Sequence, residues 1–175
     1  MKKVKWLGSI LLICILSVIS SPAQNLKPEL FECSDNQCDW VIIKDKKLIK
    51  QEGTASLYNV GLIWGHSLHR KGHYPKGYSK KIDIDWVSSS KDEFSLFCYS
   101  KLPVYIVGNE FNILNFKYAD TRAVKTAAME YVRICYDAPW NSSLSESFQK
   151  KHNLSEPFMD EVSVKKPEEL FQYVK

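Results

Sequence analysis

The sequence predicts an α+β domain: a small antiparallel β-sheet of five to seven strands, one packed helix at about residues 121–135, and a partly helical C-terminal extension. Across the sheet region, apolar and polar residues alternate with a period of two, which is typical of half-buried strands. After residue 120 the apolar residues recur at helical spacing instead. Four cysteines beyond residue 23 complete the pattern, because two disulfides would stabilise a chain of this length.

The first 23 residues have the pattern of a secretory signal peptide. Three lysines precede an apolar run at residues 6–19, and small residues suited to a cleavage site follow at 21–23. The apolar run, about 14 residues, is short for a membrane span. We therefore expect cleavage and a mature chain without a membrane span. A lysine-rich start and a short apolar run are typical of bacteria, so we expect a periplasmic or secreted protein.

The charge and aromatic content exclude two classes of protein. The whole chain has a formal net charge of +4, but cleavage after Ala23 removes three lysines and no acid, which leaves +1. A nearly neutral chain without a nucleic-acid motif is not expected to bind nucleic acid. The 22 phenylalanines, tyrosines and tryptophans exclude a disordered chain.

The mature chain keeps Cys33, Cys38, Cys98 and Cys135. Four cysteines allow three pairings, and proximity along the chain favours Cys33–Cys38 and Cys98–Cys135. A metal-binding or redox role for Cys33 and Cys38 is the alternative, which an oxidising compartment disfavours. We expect a disulfide-stabilised domain at residues 24–138 and a C-terminal extension at residues 139–175.

The first strands follow from the alternation of apolar residues. Residues 39–44 predict a strand, with a turn at Asp45-Lys46-Lys47 and a short return through residues 48–49. Residues 54–64 predict a second strand with one apolar face. Residues 65–81 predict a loop, since they contain three glycines and one proline. Strands then follow at residues 82–86 and 94–98, the second with Cys98 pointing inward.

The rest of the chain changes from strands to helices. Gly108-Asn109 lies between two apolar runs and predicts a hairpin turn. The helix at 121–135 follows, with Asp120 or Thr121 as its N-cap. In the polar extension, residues 143–151 and 167–174 predict short helices, the latter because proline and acids favour a first turn. We expect the extension to be loosely packed.

The most distinctive segment for function is residues 53–82, which contain no Asp or Glu. Clustered positive charge with interleaved tyrosines suits contact with an anionic partner. The alternative is a solvated loop whose lysines serve solubility. The candidate binding residues are Arg70, Lys71, Tyr74, Lys76, Tyr78, Lys80 and Lys81.

The same segment offers a candidate metal site. His66, His69 and His73 supply imidazoles that zinc or copper accepts, and Asp83 or Asp85 would add a fourth ligand. An exposed histidine loop is the alternative. Asp83 and Asp85 also suggest a catalytic carboxylate pair, against the simpler interpretation that they form the polar face of a strand.

These observations predict an exported small binding protein, such as an inhibitor or immunity protein, whose partner is another protein. The small size, the disulfides and the lack of a recognisable catalytic set favour binding over catalysis, and no cofactor is expected. Two alternatives stay open: a metal-dependent hydrolase that uses His66, His69 and His73, and a binder of an acidic envelope glycan or lipid.

Overall fold

A computed structural model describes residues 26–87, 92–118, 121–154, 157–159 and 161–174. Over these residues the chain forms one seven-stranded antiparallel sheet with helices packed against it. The predicted α+β fold class is therefore confirmed. The predicted signal peptide, residues 1–23, lies outside the described residues.

The strands follow one another through the sheet with few crossovers. They are β1 (Glu29–Ser34), β2 (Gln37–Glu52), β3 (Ala55–Leu68), β4 (Asp85–Trp86), β5 (Asp92–Cys98), β6 (Val104–Val107) and β7 (Glu110–Ile113). Their order is β1-β2-β3-β5-β6-β7, and β4 pairs with the far end of β3. The hairpin predicted at Gly108-Asn109 is confirmed as the β6–β7 turn, with Gly108 at φ +58°.

Two α-helices and three 3₁₀ helices complete the fold. They are α1 (Arg122–Tyr136), α2 (Glu146–His152) and the 3₁₀ helices Phe116–Tyr118, Trp140–Leu144 and Pro167–Tyr173. The predicted helix at 121–135 is confirmed as α1. It begins behind Thr121, whose side chain accepts a hydrogen bond from the Val124 N–H. The short helices predicted in the extension correspond to α2 and to Pro167–Tyr173.

The β2–β3 hairpin is much longer than the sequence predicts. The turn predicted at Asp45-Lys46-Lys47 is wrong, because β2 runs through these residues and pairs with β3 along its whole length. Two register shifts, after Ile43 and after Leu48, absorb the irregularity without ending the strand. The chain turns at Gly53 instead, where a φ of +54° favours a residue without a side chain.

The loop predicted at residues 65–81 also starts later than expected. Residues 65–68 continue β3, and the predicted strand at 82–86 pairs only through Asp85 and Trp86. Gly65 permits this arrangement because Trp86 and Ile84 lie directly over it. A Cβ atom on Gly65 would lie 2.6 Å from the Trp86 ring. Gly65 thus marks close packing within a strand, whereas Gly72 and Gly77 lie in the loop that follows.

The sheet has two covered faces. On one, which we call the helix face, Val60 and Leu62 pack with Tyr131 and Val132 of α1. On the other, the tail face, Leu57 and its neighbours pack against Leu170.

The C-terminal extension contributes to both cores. Leu154 is buried on the helix face, and Leu170 and Phe171 are buried on the tail face. The expectation of loose packing is therefore wrong for these residues. A few apolar side chains are enough to pack this polar segment against the sheet. The boundary between residues 138 and 139 stays a prediction.

Both predicted disulfides are confirmed. Cys33–Cys38 closes the β1–β2 turn, and Cys98–Cys135 joins β5 to the end of α1.

An ion pair fixes the same helix to the first strand. The Arg133 Nε and Nη2 atoms donate to the two Glu29 oxygens at 2.8 and 2.7 Å, and Trp140 Nε1 donates to Glu29 at 2.8 Å. These hydrogen bonds with Arg133 lower the pKa of the Glu29 carboxyl, against the opposing effect of its partial burial.

Candidate functional site

The chain between β3 and β4, residues 69–84, is the segment where the candidate binding residues lie, and we call it the basic loop. Its start is fixed to the sheet by a chain of hydrogen bonds. The His69 N–H donates to the Asn36 carbonyl at 2.7 Å, and the His69 ring lies 2.7 Å from Ser67 Oγ. Trp40 Nε1 in turn donates to Ser67 Oγ at 2.6 Å.

Two tyrosines hold the middle of the basic loop. Tyr74 OH donates to the Asp35 carbonyl at 2.6 Å, so it reaches the turn that Cys33–Cys38 closes. The Tyr78 ring meets Trp40 edge-on, with 6.3 Å between ring centroids. The loop lacks regular structure, but it is attached at its start and along its length.

The cations of the basic loop all project into solvent. Among the described residues, none of them has a hydrogen bond, an ion pair or a ring contact with another side chain. They are Arg70, Lys71, Lys76, Lys80 and Lys81. By contrast, Lys125 and Arg133 of α1 are paired with Glu32 and Glu29. The positive charge of the loop is therefore available to an outside partner.

An apolar groove of about 470 Å³ adjoins the basic loop. Tyr74 and Pro75 of the loop form part of its wall, and Phe31, Met129 and Trp140 form other parts of its lining. Leu144, also at the groove, is 48% exposed. The spacing of residues gave no sign of this groove, because its lining comes from four separate parts of the chain.

The three histidines do not converge. His66 lies in β3 opposite Asp85, with 3.7 Å between ring and carboxylate, and His69 contacts Ser67. Both line a cleft of about 430 Å³ together with Asp83 and Asp85, whereas His73 does not line it. Within the described parts of the chain, no three His, Cys, Asp or Glu side chains are grouped closely enough to hold a metal ion.

Ser67 and His69 have the spacing of a nucleophile and its base, but the surroundings favour a structural role. Ser67 is buried, and its oxygen accepts the indole N–H of Trp40. No further contact orients the other His69 nitrogen among the described residues. Sequence reasoning missed this pair; the only available signal is that Ser67 continues the alternation of β3 onto the buried face.

Asp83 and Asp85 border the same cleft. Asp85 is 82% exposed at its side chain and lies at the end of the sheet. This placement matches the polar strand face better than a buried catalytic pair, whose members need a shielded site for unusual proton affinities.

Comparisons of the chain with family models, with curated proteins and with solved structures gave no match. Within the residues that the structure describes, no helix is long and apolar enough to cross a membrane.

Proposed function

We propose that the mature chain is an exported binding protein that recognises an acidic surface of another protein through the basic loop and the apolar groove beside it. The observation that carries this proposal is that the loop with five exposed cations also contributes Tyr74 and Pro75 to the wall of an apolar groove. Protein interfaces commonly combine an apolar centre with a polar and charged rim.

The attachment of the loop supports a binding role. Tyr74 and His69 hold it to the β1–β2 turn, and that turn is closed by a disulfide. A surface that is already ordered loses little conformational entropy when it binds. A solubility loop has no need of such attachment, so the alternative of a merely solvated loop explains less.

The groove favours a protein partner over an envelope glycan. A polyanionic glycan would neutralise the cations but would leave the apolar lining of the groove unfilled. A protein can place an apolar side chain in the groove and acidic side chains against the loop. Inhibitors and immunity proteins act through such rigid surfaces, and the predicted signal peptide and the two disulfides suit export.

A charge-reversal comparison tests the proposal. The loop variant carries Lys76→Glu, Lys80→Glu and Lys81→Glu. The matched control carries Lys44→Glu, Lys47→Glu and Lys166→Glu, three exposed lysines outside the loop and the groove. Immobilised mature proteins are compared for saturable capture of proteins from periplasmic and culture extracts, across a range of salt concentrations.

We expect the wild type and the control to retain an acidic protein that the loop variant binds at least about tenfold more weakly. Salt should also weaken capture, because rim charges act through screened electrostatics. A groove variant, Leu144→Asp, should reduce binding of the same protein. Equal capture by the loop and control variants, or binding only to vesicles of anionic lipid, would contradict the proposal.

A further inference from the structure

A second cleft, of about 320 Å³, lies on the helix face at the end of β3 opposite the basic loop. We call it the hydroxyl cleft, because hydroxyl groups dominate its lining. They belong to Thr54, Ser56, Tyr58, Ser100 and Tyr136. The proposed protein-binding function uses none of these residues.

The walls of the hydroxyl cleft are fixed by the fold. Ser56 lies opposite Cys98 in the β3–β5 ladder, and Cys98 is bonded to Cys135 at the end of α1. Both cysteines line the cleft. A disulfide between sheet and helix therefore sets the separation of the two walls.

Helix α2 supplies the remaining side. The His152 ring packs against two aromatic rings, with centroids 4.5 Å from Tyr136 and 4.3 Å from Phe148. Asn153 ends the helix in the left-handed conformation and also lines the cleft. These ring contacts therefore fix the position of the His152 imidazole.

Three hydroxyl groups and one ammonium group of the cleft are free to bind. Among the described contacts, Thr54, Ser56 and Ser100 have no hydrogen-bond partner for their hydroxyls. Lys151 is exposed and has no ion pair with any described residue. None of the described residues that line the cleft is a carboxylate, so no described acid of the cleft offsets the positive charge of Lys151.

We propose that the hydroxyl cleft binds a small polyhydroxylated anion, namely a monosaccharide that carries a phosphate or a carboxylate. Serine and threonine hydroxyls both donate and accept hydrogen bonds, as sugar hydroxyls do. Lys151 binds the anionic group as a point charge. The volume lies at the small end of ligand pockets, which suits one sugar ring.

Titration of the mature protein with defined probes tests this site. Glucose 6-phosphate, glucuronate, glucose and inorganic phosphate are each added to isotope-labelled protein, and amide shifts are followed by nuclear magnetic resonance. We expect one or both sugar anions to bind at least tenfold more tightly than glucose or inorganic phosphate, with shifts at Ser56, Ser100 and His152. The two sugar anions distinguish a phosphate from a carboxylate ligand.

Neighbouring lysines on α2 provide a matched pair of variants. Lys151→Met should weaken sugar-anion binding about tenfold or more. Lys150→Met, which removes an exposed charge that does not line the cleft, should leave it unchanged. The proposal is overturned if neither sugar anion shifts the cleft residues, if inorganic phosphate binds as tightly as the sugar anions, or if the two variants behave alike. Charge reversal in the basic loop should not affect this binding, so the two proposals fail separately.

Discussion

The two faces of the sheet are covered in different ways. On the helix face, the 15-residue helix α1 lies over the apolar side chains, and it is fixed by Cys98–Cys135 and by the Arg133–Glu29 pair. On the tail face, two segments without α-helix cover opposite ends of β3: the C-terminal residues around Leu170, and the chain that places Trp86 over Gly65.

The difference shows how regular and irregular covers obtain their stability. A helix buries a continuous stripe of apolar side chains, so many residues contribute to its packing. Because it is rigid, a single disulfide or ion pair can fix the whole helix. An irregular segment relies on a few buried anchors and on close approach to the sheet. The apolar groove borders the middle of α1, at Lys125 and Met129, and the hydroxyl cleft borders its end, at Cys135 and Tyr136. Both candidate sites therefore lie along the margins of the regular cover.

The largest effect should come from the covalent link on the helix face. Cys98→Ser with Cys135→Ser should lower the free energy of unfolding by about 4 kcal/mol, because the bond closes a long loop in the unfolded chain. Cys33→Ser with Cys38→Ser, which opens a loop of sequence separation 5, should cost about 2 kcal/mol. Denaturant unfolding measures both, and equal losses would contradict the difference in loop length.

The anchors of the tail face should come next. Leu170→Ala removes a fully buried side chain and should lower the free energy of unfolding by about 3 kcal/mol. Gln172→Ala, an exposed position in the same 3₁₀ helix, is the control and should change it by less than about 0.5 kcal/mol. A loss below about 1 kcal/mol for Leu170→Ala would show that the tail is dispensable for the core.

Close packing at the other end of the tail face should be sensitive to a single methyl group. Gly65→Ala would place a Cβ 2.6 Å from Trp86 and 2.7 Å from Ile84, so both side chains must move. We expect a loss of about 2 kcal/mol and faster proteolysis of the basic loop. Gly77→Ala is the control, because nothing lies within 4 Å of its added Cβ. Similar proteolysis of the two variants would argue against Trp86 as an anchor.

Acid should weaken the helix face through Glu29. Its pKa is lower in the folded protein than in the unfolded chain, so its stabilising effect is present above the unfolded value, 4.5, and is lost as pH falls through the folded value. Glu29→Gln should cost about 1–2 kcal/mol near pH 7 and much less at low pH. Glu110→Gln, at an exposed position, is the control. An unchanged pH profile of stability in Glu29→Gln would exclude this carboxylate as the source.

The smallest effect on stability should come from the basic loop. The variant with Lys76→Glu, Lys80→Glu and Lys81→Glu should unfold within about 0.5 kcal/mol of the wild type, because these side chains are exposed and unpaired among the described residues. Thermal unfolding at low salt checks this expectation. A larger loss would mean that the cations support the fold, and the loop would then need another function.

The local patterns of the sequence predicted most of the fold. The spacing of Ala128, Tyr131 and Val132 predicted α1, and all three are buried. The Gly108-Asn109 pair predicted the last hairpin. The patterns failed at Asp45-Lys46-Lys47, where polar composition suggested a turn. There the backbone hydrogen bonds to β3 keep the chain extended, although the local sequence does not favour a strand.

The candidate sites were less accessible to sequence reasoning. The cations of the basic loop are visible as a run without acids, and they are indeed exposed. Their attachment through Tyr74 to Asp35 joins residues 39 positions apart, and no local pattern encodes such a contact. The grouping of three histidines by spacing alone was misleading, because His66 lies within β3 and His73 lies in the basic loop.

By itself, the sequence predicted the fold class, the favoured disulfide pairing and the position of the principal helix, because periodicity and proximity act over a few residues. Only the tertiary structure decided the length of the β2–β3 hairpin, the burial of Leu170 and the existence of the apolar groove and the hydroxyl cleft. These features depend on side chains brought together from distant segments. Burial and hydrogen bonding across the sheet outweigh local preference there, and that balance is set only when the whole chain packs.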